Sequence, residues 1–147
     1  MKGPEVRPAA EADAAPLAAL VTQLGYPSGP AQVLARLRRV QDDPDIRALA
    51  AVQGGRVTGM IGIMVFPAFH RDGLHGYITA LVVDEAARGG GTGAALLGAA
   101  EAWFAERGVT KVSLTTALHR EQAHGFYERR GYEFNGRRYV KTLARPT

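Results

Sequence analysis

Leu17, Leu20, Val21 and Leu24 recur at i, i+3, i+4 and i+7, the spacing that lines one face of an α-helix. Asp13 is a candidate N-cap, Pro16 falls in the first turn, and Gly25 is expected to stop the helix. After a loop at residues 26–30 a second helix is predicted. Val33, Leu34, Leu37 and Val40 form its apolar stripe, Arg36, Arg38 and Arg39 face outward, and Asp42-Asp43-Pro44 ends it. The pattern then changes to strands. Residues 46–53 and 56–66 flank the hairpin pair Gly54-Gly55, with Gly59 and Gly62 marking a bulge or a close approach inside the second strand. Residues 77–83 form a further, strongly β-prone strand, and Val6-Arg7-Pro8 ahead of the first helix reads as a short opening strand.

A helix starting near Ala94 buries Leu96, Leu97, Ala100 and Phe104 and ends at Gly108. A strand over 109–116, a helix over 121–130 capped by Gly131, and two closing strands around Asn135-Gly136 complete the chain. The order β-α-α-β-β-β-α-β-α-β predicts an α/β (α+β) fold, a central mixed sheet of six to seven strands flanked by about four helices. The strand–helix–strand portion forces one parallel pairing, and the hairpins are antiparallel. No linker or repeat divides residues 1–147, so a single domain is expected.

Composition narrows the function classes. The chain has 147 residues and no cysteine, which removes disulfides, a thiolate nucleophile and cysteine-based zinc sites. The formal charge of +4 is spread over dispersed arginines, as on solvated helix faces, and no nucleic-acid partner is expected. No apolar run resembles a signal peptide or a membrane span, so a cytoplasmic location without membrane partners is the expectation. His70 and His75, five apart with a single carboxylate between them, make a poor ligand set, and no metal is expected.

The candidate chemistry begins where the strand over 77–83 ends. Arg88-Gly89-Gly90-Gly91-Thr92-Gly93 leads into a helix at Ala94. Few Cβ atoms stand in the way there, so successive N–H groups and the positive end of the helix dipole can converge on a phosphate. A nucleoside-triphosphate loop needs Gly-Lys, and no lysine lies between Lys2 and Lys111. A dinucleotide fold needs an acidic residue at the end of the next strand, where Thr115-Thr116 stand instead.

The pattern Arg/Gln-x-x-Gly-x-Gly/Ala at 88–93, followed by Ala123-His124-Gly125-Phe126-Tyr127-Glu128-Arg129-Arg130-Gly131-Tyr132, resembles the two signature segments of the GNAT superfamily of acetyl-CoA-dependent N-acetyltransferases. The C-terminal part is similar to small-molecule amine acetyltransferases, among them those acting on aminoalkylphosphonates. The resemblance implies that acetyl-CoA is the cosubstrate. Its pyrophosphate would rest on Arg88, Gly89, Gly90, Gly91, Thr92, Gly93 and Ala94, and its pantetheine arm would pair with the backbone of Leu81, Val82 and Val83.

Tyr127 stands where relatives place the acid that protonates the leaving thiolate. A phenol, with a pKa of about 10, can donate as charge develops on a sulfur whose thiol has a pKa of about 8.5. Ala80 occupies a position where many relatives carry a glutamate base, and Arg120 one where many carry asparagine. Arg120 is counted with the cofactor contacts. Tyr77, His75, His70, His119 and a water chain remain the alternatives for the base.

The acceptor is expected to be a small-molecule amine, entering between the first two helices and the loop at 67–74. Tyr26, Phe69, His70 and Tyr77 line its path, with Phe66 and Arg71 nearby. An amine that carries an anionic group suits these aromatic and basic residues better than a polycation. Homodimers are common among such folds, and a homodimer is admitted here with no patch assigned to it. Competing readings are an acyl-CoA sensor without turnover, a protein N-terminal or lysine acetyltransferase, and a basic nucleic-acid-binding domain.

Overall fold

A computed structural model describes residues 3–115 and 121–144. The chain resolves into two compact units, residues 1–114 and 115–147. The first unit carries a five-stranded sheet in the order β1-β2-β3-β4-β5. Its strands are β1 (Glu5–Pro8), β2 (Ile46–Gln53), β3 (Arg56–Pro67), β4 (Leu74–Val83) and β5 (Val112–Leu114). The first four pair antiparallel and β4 pairs parallel with β5.

Helices α1 (Ala14–Leu24) and α2 (Pro30–Val40) precede β2, and α3 (Thr92–Glu106) joins β4 to β5. Among the described residues the sheet has five strands, fewer than the six to seven expected. Residues 132–143, read as two closing strands, carry none. The last strand of the sheet is three residues long where eight were expected.

The predicted apolar stripes are the buried ones. Leu17 and Leu20 of α1 and Val33 and Leu37 of α2 pack with Val82 of β4, against Ala48, Val57 and Met60. Leu96, Leu97, Ala100 and Phe104 of α3 are buried on the opposite face of the sheet, where Ile61, Ile63 and Val65 alternate inward along β3. The β2–β3 connection Gly54-Gly55 has positive φ at both residues (59° and 78°), the requirement of a two-residue hairpin turn. Asp13 does not cap α1. Its carboxylate is drawn away by the Arg7 guanidinium at 2.7 and 3.0 Å and by the Ala10 N–H, bonds that hold its pKa below the usual carboxylate range.

Two glycines set how closely α3 lies on the sheet. A Cβ at Gly59 would meet Leu96 and Thr92 at 3.0 Å, and one at Gly76 would meet the Phe104 ring at 2.8 Å. Phe104 is 1% exposed and has no room to retreat. Gly76→Ala is therefore expected to lower unfolding free energy by about 1–3 kcal/mol, as overpacking does. Gly98→Ala, whose added Cβ meets nothing within 4 Å, should raise it by about 0.5–1 kcal/mol. Denaturant titration of both variants checks the pair, and equal effects would contradict the packing assigned to Gly76.

The second unit contains α4 (Glu121–Glu128). The Phe126 and Tyr132 rings lie 5.4 and 5.9 Å from the Tyr127 ring, both edge-on. Gly131 at φ 88° turns the chain after the helix, and the Tyr132 N–H bonds back to the Tyr127 carbonyl at 3.1 Å.

Candidate active site

The site in the first unit is built around a defect in β4. Gly62 pairs with Ala80, but Ile63 pairs with Ile78, so Thr79 is an extra residue, a β-bulge. Gly62 is the residue that lets it in, since a Cβ there would stand 2.6 Å from the Thr79 hydroxyl. Before the bulge β4 has a partner on its outer edge, with Gly76–Ile78 matched to Val112–Leu114. Beyond it no strand pairs with that edge among the described residues, so Leu81–Val83 border an open gap.

Strand alternation decides which groups face the gap. The Asp84 N–H donates to the Thr58 carbonyl of β3 at 2.8 Å, so Asp84 and Val82 present their backbone groups to β3. Val83 and Leu81 present theirs to the open edge. Of the three residues expected to pair with a pantetheine arm, Leu81 and Val83 thus offer N–H and C=O groups, while Val82 offers its side chain to the core under α1 and α2. The Arg88 Nε reaches back to the Val83 carbonyl at 3.4 Å.

The strand runs directly into the glycine loop. Asp84 caps a single 3-10 turn at Glu85–Ala87, its carboxylate accepting the Ala86 N–H at 3.1 Å. Gln23 of α1 accepts the Glu85 N–H at 3.2 Å. Gly89 and Gly91 then take positive φ (88° and 85°), and a Cβ at either would meet nothing within 4 Å. Helix α3 begins at Thr92, two residues earlier than the sequence predicts, with Gly91 as an N-cap that offers no side-chain bond.

The first intrahelical bond of α3 runs from the Ala95 N–H to the Gly91 carbonyl. Gly91, Thr92, Gly93 and Ala94 therefore hold the four N–H groups that a helix cannot satisfy itself. Thr92 is 1% exposed and its hydroxyl has no partner among the described residues. An open cradle of unsatisfied donors at the positive end of a helix fits a phosphate anion, and the adjoining free strand edge fits an extended amide chain.

Of the expected acceptor-side residues, Tyr26 lies between α1 and α2, Phe69 and His70 lie on the β3–β4 loop, and all three are exposed. Tyr77 is half-buried on β4, two residues from the bulge, opposite Met64 of β3. Ala80 flanks the bulge and brings no carboxylate to it. Tyr127 lies half-buried on α4 in the second unit. Arg120 and His119 lie outside the described residues. No group of three or more metal-ligating side chains forms among the described residues, and no helix there is long and apolar enough to cross a membrane.

The structure adds partners of His75 that no sequence spacing indicates. His75 Nε2 and the Ser113 hydroxyl share a hydrogen bond at 2.9 Å across the β4–β5 pairing. Burial lowers the His75 pKa, and the charges of Arg71, His70 and Lys111 press it further down. The imidazole is therefore neutral at pH 7. Ser113 and Lys111 reach this place only through a parallel pairing that closes across α3.

The family model described as Acetyltransferase (GNAT) family matches residues 17–132. An aminoalkylphosphonate N-acetyltransferase of Salmonella typhimurium (strain LT2) is 35% identical over 101 residues, covering 69% of this chain and 66% of that protein, slightly less than two thirds of its length. Among solved structures, an acetyltransferase of Trypanosoma brucei superposes with a TM-score of 0.81 at 26% identity, over 95% of this chain and 99% of that one. A transcriptional regulator from Bacillus halodurans C-125 superposes with a TM-score of 0.87 at 21% identity, over 95% and 99%, a likeness of fold. With its bulged fourth strand, its open edge and its glycine cradle, the chain belongs to the acetyltransferase (GNAT) family.

Proposed function

We propose that the protein transfers the acetyl group of acetyl-CoA to a primary amine of a small molecule by direct attack, with no acetylated enzyme on the way. The observation that carries this reading is the continuity of the open half of β4 with the cradle at the start of α3. Acetyl-CoA supplies the activated acyl group as a thioester. The N–H groups of Gly91, Thr92, Gly93 and Ala94 hold its pyrophosphate, joined by Arg88, and the backbones of Leu81 and Val83 hold the pantetheine arm. This register brings the thioester end to the bulge at Thr79 and Ala80.

Tyr127 donates the proton that the departing thiolate takes up, and Arg120 adds a contact to the cofactor. With Ala80 at the bulge, the ammonium proton of the acceptor needs another outlet. Tyr77 is two residues away. His75, neutral at pH 7, is four residues from Thr79, so a proton reaches it only through water. Tyr26, Phe69 and His70 border the acceptor's approach. The relative acting on aminoalkylphosphonates supports an amine that carries an anionic group.

Ala80 also supports a second reading, a sensor that binds acyl-CoA without turnover. Thermal unfolding with and without acetyl-CoA, together with thiol release over a panel of primary amines, separates the two. The enzyme reading predicts a Tm rise of several degrees at about a hundredfold excess over Kd, where linkage gives about 2.7 kcal/mol, and release of CoA with at least one amine. A Tm rise without CoA release for any amine identifies a sensor. No Tm rise at all overturns both.

A further inference from the structure

We propose that the pocket between the β3–β4 loop and the start of β5 is an anion subsite that anchors the far end of the acceptor, selecting elongated primary amines with a negative group roughly 10–15 Å from the nitrogen. This deepens the acetyltransferase reading and rests on it.

The pocket, about 340 Å³, is lined by Arg71, Asp72, His75, Thr110 and Lys111 among others, a size at the small end of ligand sites. Arg71 and Lys111 bring two positive charges against the single carboxylate of Asp72. Among the described residues neither cation forms an ion pair, with Asp72 or any other group. A second groove, of about 460 Å³, offers a contrast. Its lining sets two arginines, Arg7 and Arg56, against two aspartates, Asp13 and Asp84, with Arg7 paired to Asp13 at 2.7 Å, so its charges balance. In the first pocket two cations face one carboxylate, and among the described residues neither cation is ion-paired. The cost is visible at His75, whose imidazole they help to keep deprotonated. A bound anion relieves that repulsion.

The pocket also lies on the correct face. Gly76 points at Phe104 of α3, so His75 and Tyr77 point to the opposite side of the sheet, the side of α1 and α2. Phe66 and Met64 of β3 sit opposite them, and the His75–Ser113 bond fixes Ser113 there as well. By alternation along the chain Lys111 shares the face of Ser113. Going up β4 from His75, the face runs through Tyr77 to the bulge at Thr79 and Ala80, where the thioester is placed. Four to five residues separate pocket and bulge, roughly 13–16 Å of strand, with the reach of the Arg71 and Lys111 side chains adjusting the span. An extended backbone covers this distance in about four residues. A phosphonate or carboxylate two bonds from its amine cannot occupy both places, whereas an amine on a tetrapeptide-length spacer can.

Diglycine, tetraglycine and hexaglycine, each as free acid and as C-terminal amide, separate length from charge while keeping the amine the same. The expected result is a KM about tenfold lower for tetraglycine acid than for its amide, and no such preference for diglycine. The preference should fall with about 0.5 M salt, as exposed charges are screened, and collapse to near one in the double variant Arg71→Gln/Lys111→Gln. Equal KM for tetraglycine acid and amide, or a preference that survives the double substitution, overturns the subsite. A readout free of turnover is the His75 imidazole, followed by NMR on the full chain. Tetraglycine acid, and not the amide, should raise its pKa toward the ordinary histidine range by offsetting Arg71, Lys111 and His70, with Asp72 the one opposing charge nearby. If no amine releases CoA yet this shift appears, the transfer reading fails and the anion pocket stands. If CoA is released and His75 does not respond, the pocket fails and the transfer reading stands.

Discussion

Gly91→Asp is expected to weaken acetyl-CoA binding by a hundredfold or more while leaving the protein folded. Gly91 is the N-cap of α3, held at φ 85°, with open space where its Cβ would project. Gly91 is itself one of the four residues, 91–94, whose N–H groups form the cradle. An aspartate there meets no protein atom. It brings a carboxylate to the place proposed for the pyrophosphate, and at about 5 Å with an effective dielectric near 20 each pair of unit charges repels by about 3 kcal/mol.

The left-handed backbone adds a folding cost of about 1 kcal/mol, and Gly91→Ala carries that cost without the charge. The alanine variant should therefore lose some Tm and keep affinity within several-fold. The aspartate variant should lose the Tm rise with acetyl-CoA as well. Calorimetric titration of both measures the difference. Retained affinity in Gly91→Asp would remove the pyrophosphate from this cradle, since no rearrangement of one loop hides a charge fixed at its apex.

The cradle was legible in the sequence because its physics is local. Three consecutive glycines before a helix announce free N–H groups whatever the rest of the fold does, and only the start of α3, at Thr92 rather than near Ala94, needed the structure. The apolar stripes of α1, α2 and α3 were legible for the same reason, a period that repeats within one element. The bulge was half legible. Gly62 marks a place where something approaches, but that the intruder is Thr79, seventeen residues on, follows from the pairing of two strands.

The cap expected at Asp13 failed because a long-range partner, Arg7 of β1, outcompeted the helix for its carboxylate. The pocket at Arg71 and Lys111 was not legible at all. Its two cations are forty residues apart in the chain and meet only because β5 returns parallel to β4 after α3. The closing strands expected at 132–143 rest on the Asn135-Gly136 turn pair and the local pattern around it, and Phe134, Tyr139, Val140 and Leu143 are exposed there. A period of two with no assigned partner edge does not specify a strand.

Tyr127→Phe should lower kcat by about a hundredfold, the order expected when a positioned acid is removed, with the Kd for acetyl-CoA nearly unchanged. The substitution takes one oxygen. The ring that meets Phe126 at 5.4 Å and Tyr132 at 5.9 Å stays, and so does the backbone bond from Tyr132 that closes α4. Unfolding should shift by no more than about 1 kcal/mol, the scale of a single lost hydroxyl bond, so a large kinetic effect cannot be ascribed to misfolding. Two further measurements distinguish an acid from a residue that only shapes the site. Loss of the donor should remove the alkaline limb of the kcat profile that phenol ionisation produces. The defect should also shrink with acetyl thioesters of more acidic thiols, because a sulfur that leaves readily as thiolate needs less help from a proton. A shaping role predicts a constant defect across leaving groups and an unaltered alkaline limb. A kcat within about threefold of the parent protein would place the acid elsewhere, and a defect that ignores the leaving group would leave Tyr127 with packing alone.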